Sequence, residues 1–284
     1  MAGPAPQPGD YKPGKAGTVI DAFLDSPLSG IAPWALFSLF STPGRFEEAV
    51  CVALGLTLLM LWVGSRRGIS IHSLEVFGVM FFAILAVVGL TASDGTIRWL
   101  ELWAGELTNV ALALFAYATL IVRRPFTVAY AKELAPQEYW KSSLFLHINY
   151  AISAVWAAAF TASAAIGFIG DAVLRDSNNF WTGWVLQIAT LFFAVAFSEF
   201  YPAYAGAKDA ADRGEPEEIP PPISMLYDWL PTFILGAGVF GWVTHAIPEA
   251  IGIGMAIAGG AGAALIRAFS AKPGKPVRDS DPAA

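Results

Sequence analysis

The chain has 284 residues, 56% hydrophobic and only 14% charged, against about a quarter charged in soluble domains. That balance excludes an ordinary water-soluble globule and calls for a lipid solvent. A formal charge of −6 excludes a basic nucleic-acid footprint, and the single cysteine excludes an internal disulfide framework.

In hydrocarbon each unpaired backbone N–H or C=O costs several kcal/mol, so a spanning chain is helical or a closed barrel. The apolar runs here are long and do not alternate every second residue, which selects helices. Residues 1–18 are polar and rich in Pro and Gly, lack the apolar core of a cleavable signal, and are expected to be a disordered cytoplasmic tail. Apolar segments follow at 27–42, 48–64, 74–92, 100–122, 144–169, 181–201, 229–247 and 249–269. Most meet the requirement of about 20 residues for a span. The first is short and carries Pro27, Gly30 and Pro33, which makes it a candidate for a tilted or re-entrant segment. Cys51 falls inside the second run and reads as a small packed side chain. The expected fold class is all-α, a polytopic transmembrane bundle of about eight segments with both ends cytoplasmic.

Charge supports that orientation. With the N-terminus inside and all eight segments crossing, Arg45, Arg98 and Arg175 are the only ones of the 17 Lys and Arg to fall outside. Aromatics agree: Trp99, Trp103, Trp181, Trp184 and Trp242 fall near outer ends, and Trp62, Trp140, Tyr201 and Trp229 near inner ends, as interfacial belts require. The inner loop 123–141 mixes bases with Phe126, Tyr130 and Trp140. It reads either as a plain positive-inside loop or as a segment lying beside anionic lipid. The stretch 205–228, acidic and Pro-rich, is expected to be an extended cytoplasmic linker between a six-segment membrane domain, 19–204, and a transmembrane hairpin, 229–269. A disordered cytoplasmic tail, 270–284, would close the chain. In the last segment Gly252, Ala256, Gly260 and Ala264 recur every four residues, with Gly254, Ala258 and Gly262 as a second ridge. Such small-residue ridges allow close helix approach, either onto the same bundle or onto a partner.

Ionisable groups at membrane depth are costly and therefore informative. Glu106 and Asn109 lie one helical turn apart in the outer half of the fourth segment, and Gln187 lies at similar depth in the sixth. On the inner side His147, Asn149, Ser198 and Glu199 form a second set, although His147 and Asn149, two residues apart, cannot both face one neighbour. These polar groups act either as glue between helices or as a proton or substrate path through Glu106 and Glu199. No cofactor or metal is expected, because the histidines at 72, 147 and 245 fit neither a zinc nor a c-type haem spacing. No P-loop, dinucleotide fingerprint or nucleophile elbow is present, so nothing calls for an enzyme.

The order of features is distinctive. AFLDSPLSGIAPWALF is followed by two apolar helices, then IRWLELW before a long helix ending in the basic RRPF. Next come a loop with Pro136 and Trp140, a helix opening LHINYAISAVWAAAF, and NNFWTGWVLQIATLFFAVAF. Over residues 19–208 this resembles the intracellular septation protein A family of bacterial inner-membrane proteins. The resemblance implies a multi-pass protein of the bacterial cytoplasmic membrane, connected with envelope maintenance and septation through contacts with other envelope or division proteins. It carries over no catalytic residues, and the hairpin 229–269 departs from the family pattern. The expectation is a membrane scaffold or assembly partner surrounded by lipid, with a homo-oligomer as one form. The competing class is a small transporter or channel with a polar path near Glu106. Transport would place a water-accessible cavity at Glu106, whereas a scaffold would seal Glu106 with side-chain partners and turn a small-residue face outward.

Overall fold

The structure, a computed structural model, describes residues 27–41, 44–66, 68, 70–176, 179–214 and 219–270. The tail expected at 1–18 lies outside them, as do residues 271–284 of the expected C-terminal tail and Glu217 and Glu218 of the linker. The described residues are mostly helical, with no strand among them, and seven of their helices are long and apolar enough to cross a membrane. The chain is an all-α polytopic membrane protein. By contact it divides into two compact units, Met1–Ser177 and Asn178–Ala284.

The first unit holds α1 (Pro27–Phe40), α2 (Phe46–Arg66), α3 (Ser73–Thr91), α4 (Asp94–Ile121), α5 (Thr127–Leu134) and α6 (Ser143–Phe168). The sequence punctuates these helices where it should. Ser93 Oγ accepts from the Thr96 N–H ahead of α4, and Ser142 Oγ accepts from the Phe145 N–H (3.1 Å) ahead of α6, each satisfying an orphan donor of the first turn. A π-helical turn, Ile169–Val173, prolongs α6 beyond the expected end at residue 169.

α1 has 14 residues, about 21 Å at ~1.5 Å per residue, less than the ~30 Å hydrocarbon core. It nevertheless runs from one face of the unit towards the other. Gly30 at its start lies against Leu74 in the first turn of α3. Past its end, the Gly44 N–H donates to Glu101 Oε1 (2.7 Å) near the opposite end of the bundle. The candidate re-entrant segment is thus a short helix lying antiparallel to α2. Aromatic packing holds it there: Trp34 stacks on Phe77 (5.5 Å) and Phe81 (4.8 Å), and Phe37 meets Phe46 and Phe82 edge-on. Lipid tails are as apolar as leucine, so fit of this kind, rather than a hydrophobic drive, holds helices together in a bilayer. Cys51 is exposed, contrary to the expectation of a packed side chain. It faces away from the buried stripe of Phe46, Ala49, Val50, Ala53 and Thr57 on the same helix.

The second unit opens with a π-helical turn, Trp181–Val185, that leads into α7 (Leu186–Asp212). A 3₁₀ turn, Ile223–Tyr227, leads into α8 (Leu230–Val243), and α9 (Glu249–Ser270) completes the unit. Two expectations about organisation change here. The sixth segment groups with the hairpin rather than with the first five, and the stretch read as extended linker from 205 stays helical to Asp212. The combined helical run Trp181–Asp212 has 32 residues, about 48 Å, so it outruns the hydrocarbon and carries its polar end into the headgroups or beyond. An Arg213–Asp209 pair (3.2 Å) sits at that end.

The hairpin of α8 and α9 is packed backbone to backbone. A Cβ on Gly252 would sit 2.6 Å from Trp242 Cβ and 2.9 Å from Gly238 O, and one on Gly259 would land on Leu235 N and Pro231 O. The connecting turn uses His245 in the left-handed region (φ 57), with the Ala246 N–H donating to Gly241 O (2.9 Å), a common way to end a helix.

Candidate functional site

A buried histidine in the first unit was not among the expected sites. His72 precedes α3, and its backbone N–H donates to Glu75 Oε2 (3.1 Å), one half of a capping box. The ring itself is held on three sides. Nδ1 lies 3.4 Å from Glu75 Oε1, and Nε2 lies 3.1 Å from Glu133 Oε1 on α5. The second contact has the distance of an ion pair without the alignment of a hydrogen bond. Tyr130, one turn before Glu133, stacks on the imidazole at 4.1 Å with the planes 21° apart.

Burial makes this arrangement matter. His72 and Tyr130 are each 2% exposed. Burial disfavours the charged imidazole, but the bond to Glu75 and the charges of Glu133 and Glu75 together outweigh it, so the pKa stands above its ordinary 6.5. Burial also drives the Tyr130 hydroxyl well above its usual value, with help from Glu75 and Glu133. That hydroxyl has no hydrogen-bond partner and points at α1, where a Cβ on Gly30 would stand 2.7 Å from it. A cavity of about 20 Å³, lined by Gly30, Trp34, Thr57, Glu75 and Gly78 among others, adjoins the cluster and has room for one water. The two carboxylates lie on opposite edges of the ring and do not converge on one ion, and no metal-holding group of three ligands occurs among the described residues.

The expected polar residues are divided between the two units. Glu106 in α4 meets Asp171, whose carboxyl is brought to it by the π-helical turn after α6, and the two are hydrogen-bonded. Sequence reading missed Asp171 because the apolar run ends at residue 169. Asn109 is half-buried on the same helix. Gln187 belongs to the second unit, where its amide donates to Thr182 O (2.8 Å). His147 is exposed while Asn149 is buried, so they do face different ways. Asn149 Nδ2 donates to Phe145 O (2.9 Å) on its own helix, while the Asn149 backbone carbonyl accepts from Thr127 Oγ1 (3.0 Å), which also bonds Ser153 Oγ (2.8 Å). Thr127 thus ties α5 to α6. In the second unit Ser198 back-bonds to Ala194 O (2.7 Å), and Glu199 is exposed.

The small residues of α9 divide by face. Gly252 and Gly259 are buried, and Ala256 and Gly260 are half-buried on the side of α8. Ala264 is exposed, as are Gly254, Ala258 and Ala261. Between α7 and α8 lies an apolar groove of about 560 Å³ lined by Phe180, Trp184, Phe192, Trp229 and Phe233 among others.

A signal for the His72 cluster was present in part. The order His72, Ser73, Leu74, Glu75 has capping-box spacing, and Tyr130 and Glu133 share a helical face at i,i+3. That these two local pairs meet is a tertiary fact. Compared with known proteins, the chain matches no protein-family model, no curated protein and no solved structure.

Proposed function

We propose that this integral membrane protein is a non-enzymatic scaffold or assembly partner of the bacterial cytoplasmic membrane, acting in envelope maintenance and septation. The observation that carries the reading is the division of faces on α9. Gly252 and Gly259 are used up against α8, whereas Gly254, Ala258, Ala261 and Leu265, one stripe at helical spacing, are exposed, and Gly254 has open space where a Cβ would be. In lipid such a stripe lets a further helix approach closely. The partner is an envelope or division protein or a second copy of the chain. Glu106 fits the same reading, since Asp171 engages it from within the unit.

A photo-cross-linking residue at Ala258, compared in native membranes with one at the lipid-exposed Leu114, tests this. Protein adducts are expected from position 258 well above those from 114, and depletion of the protein should give filamentous or envelope-sensitive cells. Equal cross-linking from both positions, together with normal division on depletion, overturns the proposal. The competing transport reading draws on Glu106 and Asp171 as two ionisable groups at membrane depth. It requires solute or proton flux in proteoliposomes that Glu106→Gln abolishes.

A further inference from the structure

His72 joins three parts of the first unit at one point. Its backbone and Nδ1 bind it to Glu75 in the first turn of α3, Nε2 faces Glu133 of α5, and its ring supports Tyr130. Tyr130 in turn fills the space in front of Gly30, where the first turn of α1 has no room even for a methyl group. A displacement of the imidazole therefore moves the tyrosine, and a displacement of the tyrosine is felt by α1. The contact is worth most when the ring carries a proton. It is then a cation between two carboxylates in a site shielded from water, where charges interact far more strongly than at a surface. Neutral, it leaves Glu75 and Glu133 facing a ring that offers no charge and a poorly aligned Nε2.

We propose that His72 is a pH-operated latch: protonated, it clamps the start of α3 to α5 and holds Tyr130 against α1, and neutral, it releases that end of α1. The titratable groups that face the ring are Glu75 from α3 and Glu133 and Tyr130 from α5, while α1 presents Gly30, which carries none. Tyr130 stays neutral throughout the working range, because its hydroxyl is held far above its usual pKa. The sign follows from the raised pKa of His72. The clamp contributes fully below the unfolded value of 6.5 and is lost as pH rises through the higher folded value. The latch is shut in acid and opens as the compartment bathing the loop becomes alkaline.

The test uses the full chain in nanodiscs. The protein has three histidines, so ring NMR resonances are few, and the one lost in His72→Gln identifies the group. The expected titration midpoint lies above 6.5. Amide-exchange protection of residues 31–37, corrected for intrinsic rates, should be lost across the same midpoint. Glu133→Gln, which preserves the shape of the side chain, should lower the midpoint and carry the loss of protection with it. It serves as the deciding variant if His72→Gln does not fold. A midpoint at or below 6.5, a midpoint that Glu133→Gln leaves unmoved, or α1 protection that ignores the titration each overturns the latch.

Discussion

The two units solve one problem by opposite means. The first joins its helices with large rings and buried polar groups: Trp34 among three phenylalanines, His72 under Tyr130, and Thr127 bonded to α6. The second joins α8 to α9 largely through glycines, Gly238 and Gly252 against Cβ atoms and backbone of the facing helix and Gly259 against backbone alone. In a bilayer neither gains the burial energy that folds a soluble core, so each must supply contact by shape or by hydrogen bonding. The difference lies in what each tolerates. A glycine seam fails when anything is added, whereas an aromatic and polar seam fails when something is removed or misplaced.

The sharpest way to break the contrast is Gly259→Leu. The added side chain would meet Leu235 N and Pro231 O, which are backbone and cannot swing aside. Destabilisation of the hairpin by about 3 kcal/mol or more is expected, read as lost disulfide cross-linking between cysteines placed on α8 and α9, with cross-links in the first unit unaffected. Gly30→Ala comes next, at about 1–3 kcal/mol, because the new methyl meets the Tyr130 hydroxyl. Tyr130→Phe should relieve part of that cost, because Leu74 Cδ2 also stands 2.9 Å from the added methyl. Alone, Tyr130→Phe should leave the melting temperature level or higher, since it removes a buried hydroxyl that has no hydrogen-bond partner. A fall would mean that the hydroxyl is satisfied after all. Thr127→Val removes bonds to Asn149 O and Ser153 Oγ and should cost about 1 kcal/mol, the usual size of such contacts between membrane helices. Gly254→Ala has open space around it and should change monomer stability by less than about 0.5 kcal/mol. Any effect it has on cross-linking from Ala258 then reports on partner contact and not on folding.

Parts of this architecture were legible in residue order and parts were not. The spans were, because apolar runs of this length that do not alternate every second residue satisfy their backbone in lipid as helices. The end of the fifth span was misplaced because hydropathy stops at residue 169 while the helix continues through Val173 and carries Asp171 to Glu106. The linker start was misplaced for a similar reason. A helix can leave the membrane without ending, so the polar stretch from 205 reads as extended chain although it is helical to Asp212.

The sequence by itself determined that the chain is helical, that it crosses a membrane many times, and that its last helix is lined with small residues, since these follow from composition and from periods within single segments. Only the tertiary structure decided that α7 keeps company with the hairpin, that α9 uses Gly252 and Gly259 inward, and that His72, Glu75, Tyr130 and Glu133 form one cluster. The physical reason is that membrane helices are apolar nearly all round. They carry no strong amphipathic stripe to announce which face meets which neighbour, so partners far apart in the chain are chosen by fit.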